Sequence, residues 1–267
     1  MNNVLEVKDL KTYFLGKGRL VKAVDGISFS VPNGKTIAIL GESGSGKSIT
    51  AHSIMRLIPK SIDKIVAGQI IFQDKNLLEI SEKEMVRIRG KFISMIFQEP
   101  MTSLNPVMKI GDQIKEVAMF HDGLNKHEAK EKTVEILEKL AIQSPDEVFN
   151  KYPYQMSGGM KQRIMIAMAI ICTPRLLIAD EPTTSLDVTI QALIIDIIKK
   201  LQRSLNMSII FISHDLGVVA EVADYIAVMY DGKLVEQGEV KAFFSGPKHP
   251  YSAKLLKSYH EIGVKKR

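Results

Sequence analysis

Residues 36–48 read Thr-Ile-Ala-Ile-Leu-Gly-Glu-Ser-Gly-Ser-Gly-Lys-Ser, an apolar strand-like run followed by Gly41, Glu42, Ser43, Gly44, Ser45, Gly46, Lys47 and Ser48. The last eight match G-x-x-x-x-G-K-[ST] in full, and a helical pattern follows them. Glycines let successive backbone N–H groups close around phosphate oxygens, and the next helix presents its positive N-terminal end. Lys47 can reach β- and γ-phosphates, and the Ser48 hydroxyl can ligate Mg²⁺. A nucleoside triphosphate is therefore the expected ligand.

Only one such loop occurs in 267 residues, which points to a single nucleotide-binding unit with an insertion or tail. No stretch approaches the roughly 18 charge-free apolar residues of a spanning helix. The first residues lack a basic region followed by an apolar block, and Cys172 is the only cysteine, so a cytoplasmic location is expected. One thiol excludes an internal disulfide, a cysteine-held iron–sulfur cluster and a zinc ribbon. Cys172 sits in an apolar run and reads as a buried, inert group. The net charge of +6 is dispersed, its densest run being Lys265, Lys266 and Arg267. It reads as a solubilising surface, compatible with a peripheral place on an anionic membrane, and not as a nucleic-acid patch.

Apolar–polar alternation predicts strands at residues 4–8 and 27–31, with a turn at Pro32, Asn33 and Gly34 leading into the strand before the loop. Residues 68–72 and 92–97 are further strand candidates. Asn125 with Glu128 forms a capping-box pattern, after which Ala129, Thr133, Ile136, Leu137 and Leu140 recur on one helical face. An apolar segment at 164–171, a strand at 176–179, a helical pattern through Ile190, Leu193, Ile194, Ile197 and Leu201, and a strand at 208–212 follow. Strands alternating with helices predict a parallel sheet covered on both faces, and Asp231-Gly232 reads as a hairpin turn at its edge. Met156, Met160, Met165 and Met168 read as packing, and His52, His121, His127, His249 and His260 carry no assigned role.

The strand at 176–179 ends in Asp180 and Glu181, where an open α/β sheet places side chains beside phosphates. Asp180 suits coordination of Mg²⁺, and Glu181, one peptide further, can orient or deprotonate an attacking water. A Walker-type hydrolase is expected.

Ser157, Gly158 and Gly159 upstream of Asp180-Glu181, then Pro182-Thr-Thr-Ser-Leu-Asp187, then His214-Asp215 after a strand, resemble the ATP-binding cassette (ABC) family over nearly the whole chain. The resemblance implies a P-loop NTPase core of α/β class with a mostly parallel sheet, an antiparallel β subdomain and an inserted helical subdomain. Residues 1–246 would form the nucleotide-binding domain, with the helical subdomain at about 100–165, and 247–267 a short tail. Implied ATP contacts are residues 41–48 with Ile49, and Phe14 on the adenine, with Tyr13 as the substitute. Ser157, Gly158, Gly159 and Asp187 would reach nucleotide across a dimer. Gln98, Glu181 and His214 would be catalytic, and Ser48, Gln98 and Asp180 would hold Mg²⁺. The signature has Met156 and Met160 where the family commonly has Leu and Gln, which removes a side-chain amide at position 160.

Residues 97–106, 157–163, 182–189 and His249-Pro250-Tyr251 resemble the peptide and nickel importer ATPases. That resemblance implies a peripheral subunit on the cytoplasmic face of the membrane. It would work with a second, related ATPase chain as a heterodimer, two membrane permease subunits and an extracellular solute-binding protein, and with no nucleic acid. The cargo would be dipeptides, oligopeptides, nickel or metal chelates. The chain stops sixteen residues after Tyr251 without the cysteines of some peptide importers, which tilts the expectation toward a nickel-type or short dipeptide-type member. A soluble, non-transport ABC ATPase and an exporter ATPase are the rival expectations.

Overall fold

A computed structural model describes residues 2–16, 19–58, 63–99, 103–184 and 186–264. Residues 100–102 and 185, quoted above within motifs, and the basic run 265–267 lie outside the described residues. The chain forms two compact units, Met1–Ile80 with Ser208–Arg267, and Ser81–Met207.

In the first unit, β1 (Asn3–Gly16) pairs antiparallel with β2 (Arg19–Pro32) and with β4 (Asp63–Phe72), and β5 (Lys75–Asn76) closes this layer. β1 runs well past the 4–8 segment that alternation predicts. It buries Leu5 and Val7, then Leu10 and Thr12, so its phase slips by one residue. The slip is a bulge, where the register shifts between Val7 and Leu10 and Asp9 takes a φ of 46°. Gly68 of β4 meets it with a φ of 104°, and a Cβ there would lie 2.6 Å from both the Asp9 carbonyl oxygen and the Leu10 Cα.

A second set of strands carries the loop. β3 (Thr36–Leu40) lies between β8 (Ser208–Ser213) and β9 (Tyr225–Tyr230), parallel to both, and β10 (Lys233–Glu239) returns antiparallel along β9. The turn joining β9 to β10 is the expected Asp231-Gly232, with φ of 46° and 74°. Every residue of β3 and β8 is buried, as strands covered on both faces require. Ala38 and Leu40 share a core with α8 (Leu216–Val222), α9 (Val240–Ser245) and α10 (Pro250–Val264), through Leu216, Val219, Phe243 and Leu256. The last helix is thus part of this unit's packing.

In the second unit, β6 (Ile93–Ile96) and β7 (Leu176–Asp180) are parallel and fully buried, in register from Ile93↔Leu176 to Ile96↔Ala179. Helix α2 (Glu82–Ile88) precedes them, opened by a Ser81–Glu84 capping box. Between them lie α3 (Ile110–Asp122), α4 (Lys126–Lys139), α5 (Pro145–Phe149) and α6 (Gly158–Ile170). The Asn125–Glu128 box opens α4, and the five apolar-face residues expected there are all buried. α7 (Val188–Leu205) buries Ile194, Ile195, Ile197, Ile198 and Leu201. Leu193, expected on that stripe, is 36% exposed, because it lies about a third of a turn from the stripe's centre.

Candidate nucleotide site

Five-residue β3 ends at Leu40, and the loop that follows turns into α1 (Lys47–Ile54) at Gly46, whose φ is 105°. A side chain at Gly46 would collide with the Ala23 carbonyl, and one at Gly41 with the Met229 carbonyl, so both glycines are demanded by close backbone approach. The loop is clamped from outside as well: Gly232 N–H donates to the Ser45 carbonyl at 3.1 Å. Lys47 is buried, and its Nζ donates to the carbonyls of Gly41 and Glu42, each at 2.9 Å. Ser45 Oγ is buried without a hydrogen-bond partner among the described residues. A lysine folded over the loop and an unsatisfied buried hydroxyl at a helix N-terminus form a donor set that fits polyphosphate. Ser48 and Ile49 lie half-buried in the first turn of α1.

Leu40 and Ser213 are paired in the parallel β3–β8 register, so the loop and His214 leave adjacent strands at the same edge. His214 is exposed, and Asp215 caps α8 by accepting the Gly217 and Val218 N–H groups at 2.7 and 3.3 Å. On β1, Thr12 Oγ1 and Ser53 Oγ of α1 are 2.8 Å apart. Phe14, two residues further along β1, is half-buried. Tyr13 donates its hydroxyl to Asp25 Oδ1 at 2.5 Å. That bond raises the Tyr13 phenol above its ordinary value and lowers the Asp25 carboxyl below its own.

The second unit gathers the remaining expected residues. Gln98 follows β6 and Glu181 follows β7 at the same edge, and Gln98 Nε2 donates to Glu181 Oε2 at 3.3 Å. Thr184 Oγ1 donates to the same oxygen at 2.8 Å. Glu181 has a φ of 45°, a left-handed conformation that costs on the order of 1 kcal/mol for a residue with a Cβ and turns the chain sharply beyond the buried Asp180. Gln162 Nε2 donates to the Pro182 carbonyl at 2.6 Å, tying α6 to the segment after Glu181. Sequence reading did not single out Thr184 or Gln162. A hydroxyl three residues after a strand-tip carboxylate was the available signal for Thr184, and nothing in the pattern distinguished Gln162.

Ser157 caps α6, its Oγ accepting the Met160 N–H at 3.4 Å, and Asp187 caps α7, accepting the Ile190 N–H at 3.0 Å. The two helix starts adjoin, since a Cβ on Gly159 would stand 2.8 Å from Ile190 Cγ2. Ser157 and Gly158 are exposed, and a Cβ on Gly158 would meet open space. Met156 and Met165 are buried and Met160 and Met168 half-buried.

Residues 24–184 match the family model described as ABC transporter. The chain is 53% identical over 258 residues to the oligopeptide transport ATP-binding protein OppD of Bacillus subtilis, covering 97% of this chain and 72% of the relative. It is 51% identical over 264 residues to the dipeptide transport ATP-binding protein DppD of the same organism, covering 99% and 79%. Among solved structures, cbiO1 from Clostridium perfringens, part of the ABC transporter complex cbiONQ, matches with a TM-score of 0.78 and 25% identity, covering 100% of this chain and 99% of that one. The ATP-binding cassette MJ0796, solved as a dimer with ADP and Pi, matches with a TM-score of 0.79 at 23% identity over 88% of this chain and 98% of that one.

Proposed function

The chain belongs to the ABC transporter family, and on that premise we propose that it is the ATP-hydrolysing subunit of an importer that carries oligopeptides or dipeptides through a membrane permease. Likeness to peptide-transport ATP-binding proteins over nearly the whole chain is the observation that carries this reading. The names of those relatives favour peptides over a nickel-type cargo.

The loop amides, Lys47 Nζ and the buried Ser45 hydroxyl bind the triphosphate, residues 41–49 cradle it, and Phe14 of β1 stacks on the adenine. Ser48, Gln98 and Asp180 are the residues that would hold Mg²⁺, whose chemistry is to neutralise charge on the β- and γ-phosphate oxygens. Glu181 orients a water and accepts its proton as the water oxygen attacks the γ-phosphorus and the bond to ADP breaks. Its carboxylate is supported for this by the Thr184 and Gln98 hydrogen bonds. His214 contacts the γ-phosphate.

Exposed Ser157 and Gly158 suit delivery of a second helix N-terminus to nucleotide held by a neighbouring cassette, with Asp187 beside it. The working unit is then two ATPase chains, this one and a related partner, with two permease subunits and an extracellular solute-binding protein. It sits at the cytoplasmic face of the membrane. No helix among the described residues is long and apolar enough to cross one. Residues 1–246 would serve as the nucleotide-binding domain, with the helical subdomain at about 100–165 toward the permease, and 247–267 as its extension.

Glu181→Gln tests the chemistry. In the assembled transporter it should lower ATP turnover by at least about 100-fold while ATP-dependent pairing of the cassettes persists, because the amide keeps the shape and cannot take a proton. Near-normal turnover would refute the role of Glu181.

A further inference from the structure

Tyr251 lies at the start of α10, about two hundred residues from the phosphate loop, yet its Oη accepts the Glu42 N–H at 3.2 Å across a separation of 209 positions. The Glu42 carbonyl on the other side of that residue accepts Lys47 Nζ at 2.9 Å. Residue 42 is therefore held through both its N–H and its C=O.

The tyrosine is itself held firmly. Its ring packs on Tyr230 at the end of β9, with centroids 4.4 Å apart. Its N–H donates to His249 Nδ1 at 3.2 Å. The Glu236 carboxylate on β10 accepts the Lys248 and His249 N–H groups at 2.7 and 3.1 Å. Burial would raise the Glu236 carboxyl, but the nearby Ser252 hydroxyl and those two amides outweigh it and keep the group below its ordinary value, hence ionised and accepting. Burial raises the Tyr251 phenol above its ordinary value, against the opposing effect of the Glu42 bond, so Oη stays a neutral hydroxyl with a lone pair for that N–H.

We infer that Tyr251 is a positioning residue for the phosphate loop, holding its front end in the shape that receives phosphates, so that the His249-Pro250-Tyr251 element tunes ATP affinity. The inference rests on the nucleotide assignment of residues 41–48. When Lys47 turns to the phosphates, the Glu42 carbonyl keeps only the Ser45 N–H at 3.2 Å, a bond within the loop itself, and Tyr251 ties residue 42 to the body of this unit. A loop already ordered pays less conformational entropy on binding.

Tyr251→Phe keeps the ring against Tyr230 and removes only the hydroxyl. ATP dissociation constants are measured on the full chain, KM and kcat on the assembled transporter, and amide hydrogen exchange on the nucleotide-free chain. Expected are a roughly three- to tenfold rise in Kd and KM, the scale of one lost hydrogen bond, kcat within about twofold, and faster exchange confined to the loop around Glu42. Unchanged Kd and KM would overturn the inference. So would an affinity loss accompanied by faster exchange throughout α10 and β9, which marks a packing role instead. If the wild-type chain binds no ATP, the nucleotide assignment falls first and takes the inference with it, an outcome visible before any variant is made.

Discussion

Burial, with the nearby Asp122 charge as the second cause, pushes the Cys172 thiol up to about 12, and its Sγ lies 3.8 Å from the Val117 carbonyl oxygen. At pH 8 the folded protein should therefore react with iodoacetamide at least about 100-fold more slowly than the unfolded chain. Comparable rates in the two states would mean that the thiol is exposed. A buried cysteine was legible in the sequence from its apolar neighbours, and the close-packed Gly41 and Gly46 and the buried Lys47 were legible from their fixed order in the loop. Tyr251, Thr184 and Gln162 were not legible as contacts to the loop, to Glu181 and to Pro182. Their roles depend on which chain segments meet, and His249, to which no role was assigned, proves to accept the Tyr251 N–H.

Local rules that act within one turn carried over directly to the elements. The Asn125–Glu128 capping box and the Asp231-Gly232 hairpin turn form where the sequence puts them, because their hydrogen bonds and backbone angles are set by adjacent residues. Asn125→Ala should cost about 1 kcal/mol and lower the melting temperature by about 2–4 °C, as read by circular dichroism. An unchanged melting temperature would mean that α4 does not depend on its cap. The long first strand escaped because a bulge resets its alternation at Asp9, and a period-two pattern stops at such a slip. In α6 the buried residues Ile164, Met165, Ile166 and Ala167 run consecutively, so no helical stripe marks its apolar part.

At the scale of the molecule, the α/β class followed from strands alternating with helices, and family membership followed from motifs whose order spans nearly the whole chain. What the chain acts on was less legible, because an ATPase subunit that drives a separate permease need not touch the cargo, so its own residues carry little imprint of it. Import powered by hydrolysis at Glu181 is best tested by oligopeptide uptake into proteoliposomes. These would hold the permease and both ATPase chains, with ATP on the ATPase side and the solute-binding protein on the other. Uptake should proceed with the wild-type chain and fall to the level seen without ATP in Glu181→Gln. Equal uptake by the two, or uptake undiminished when ATP is replaced by a non-hydrolysable analogue, would contradict it.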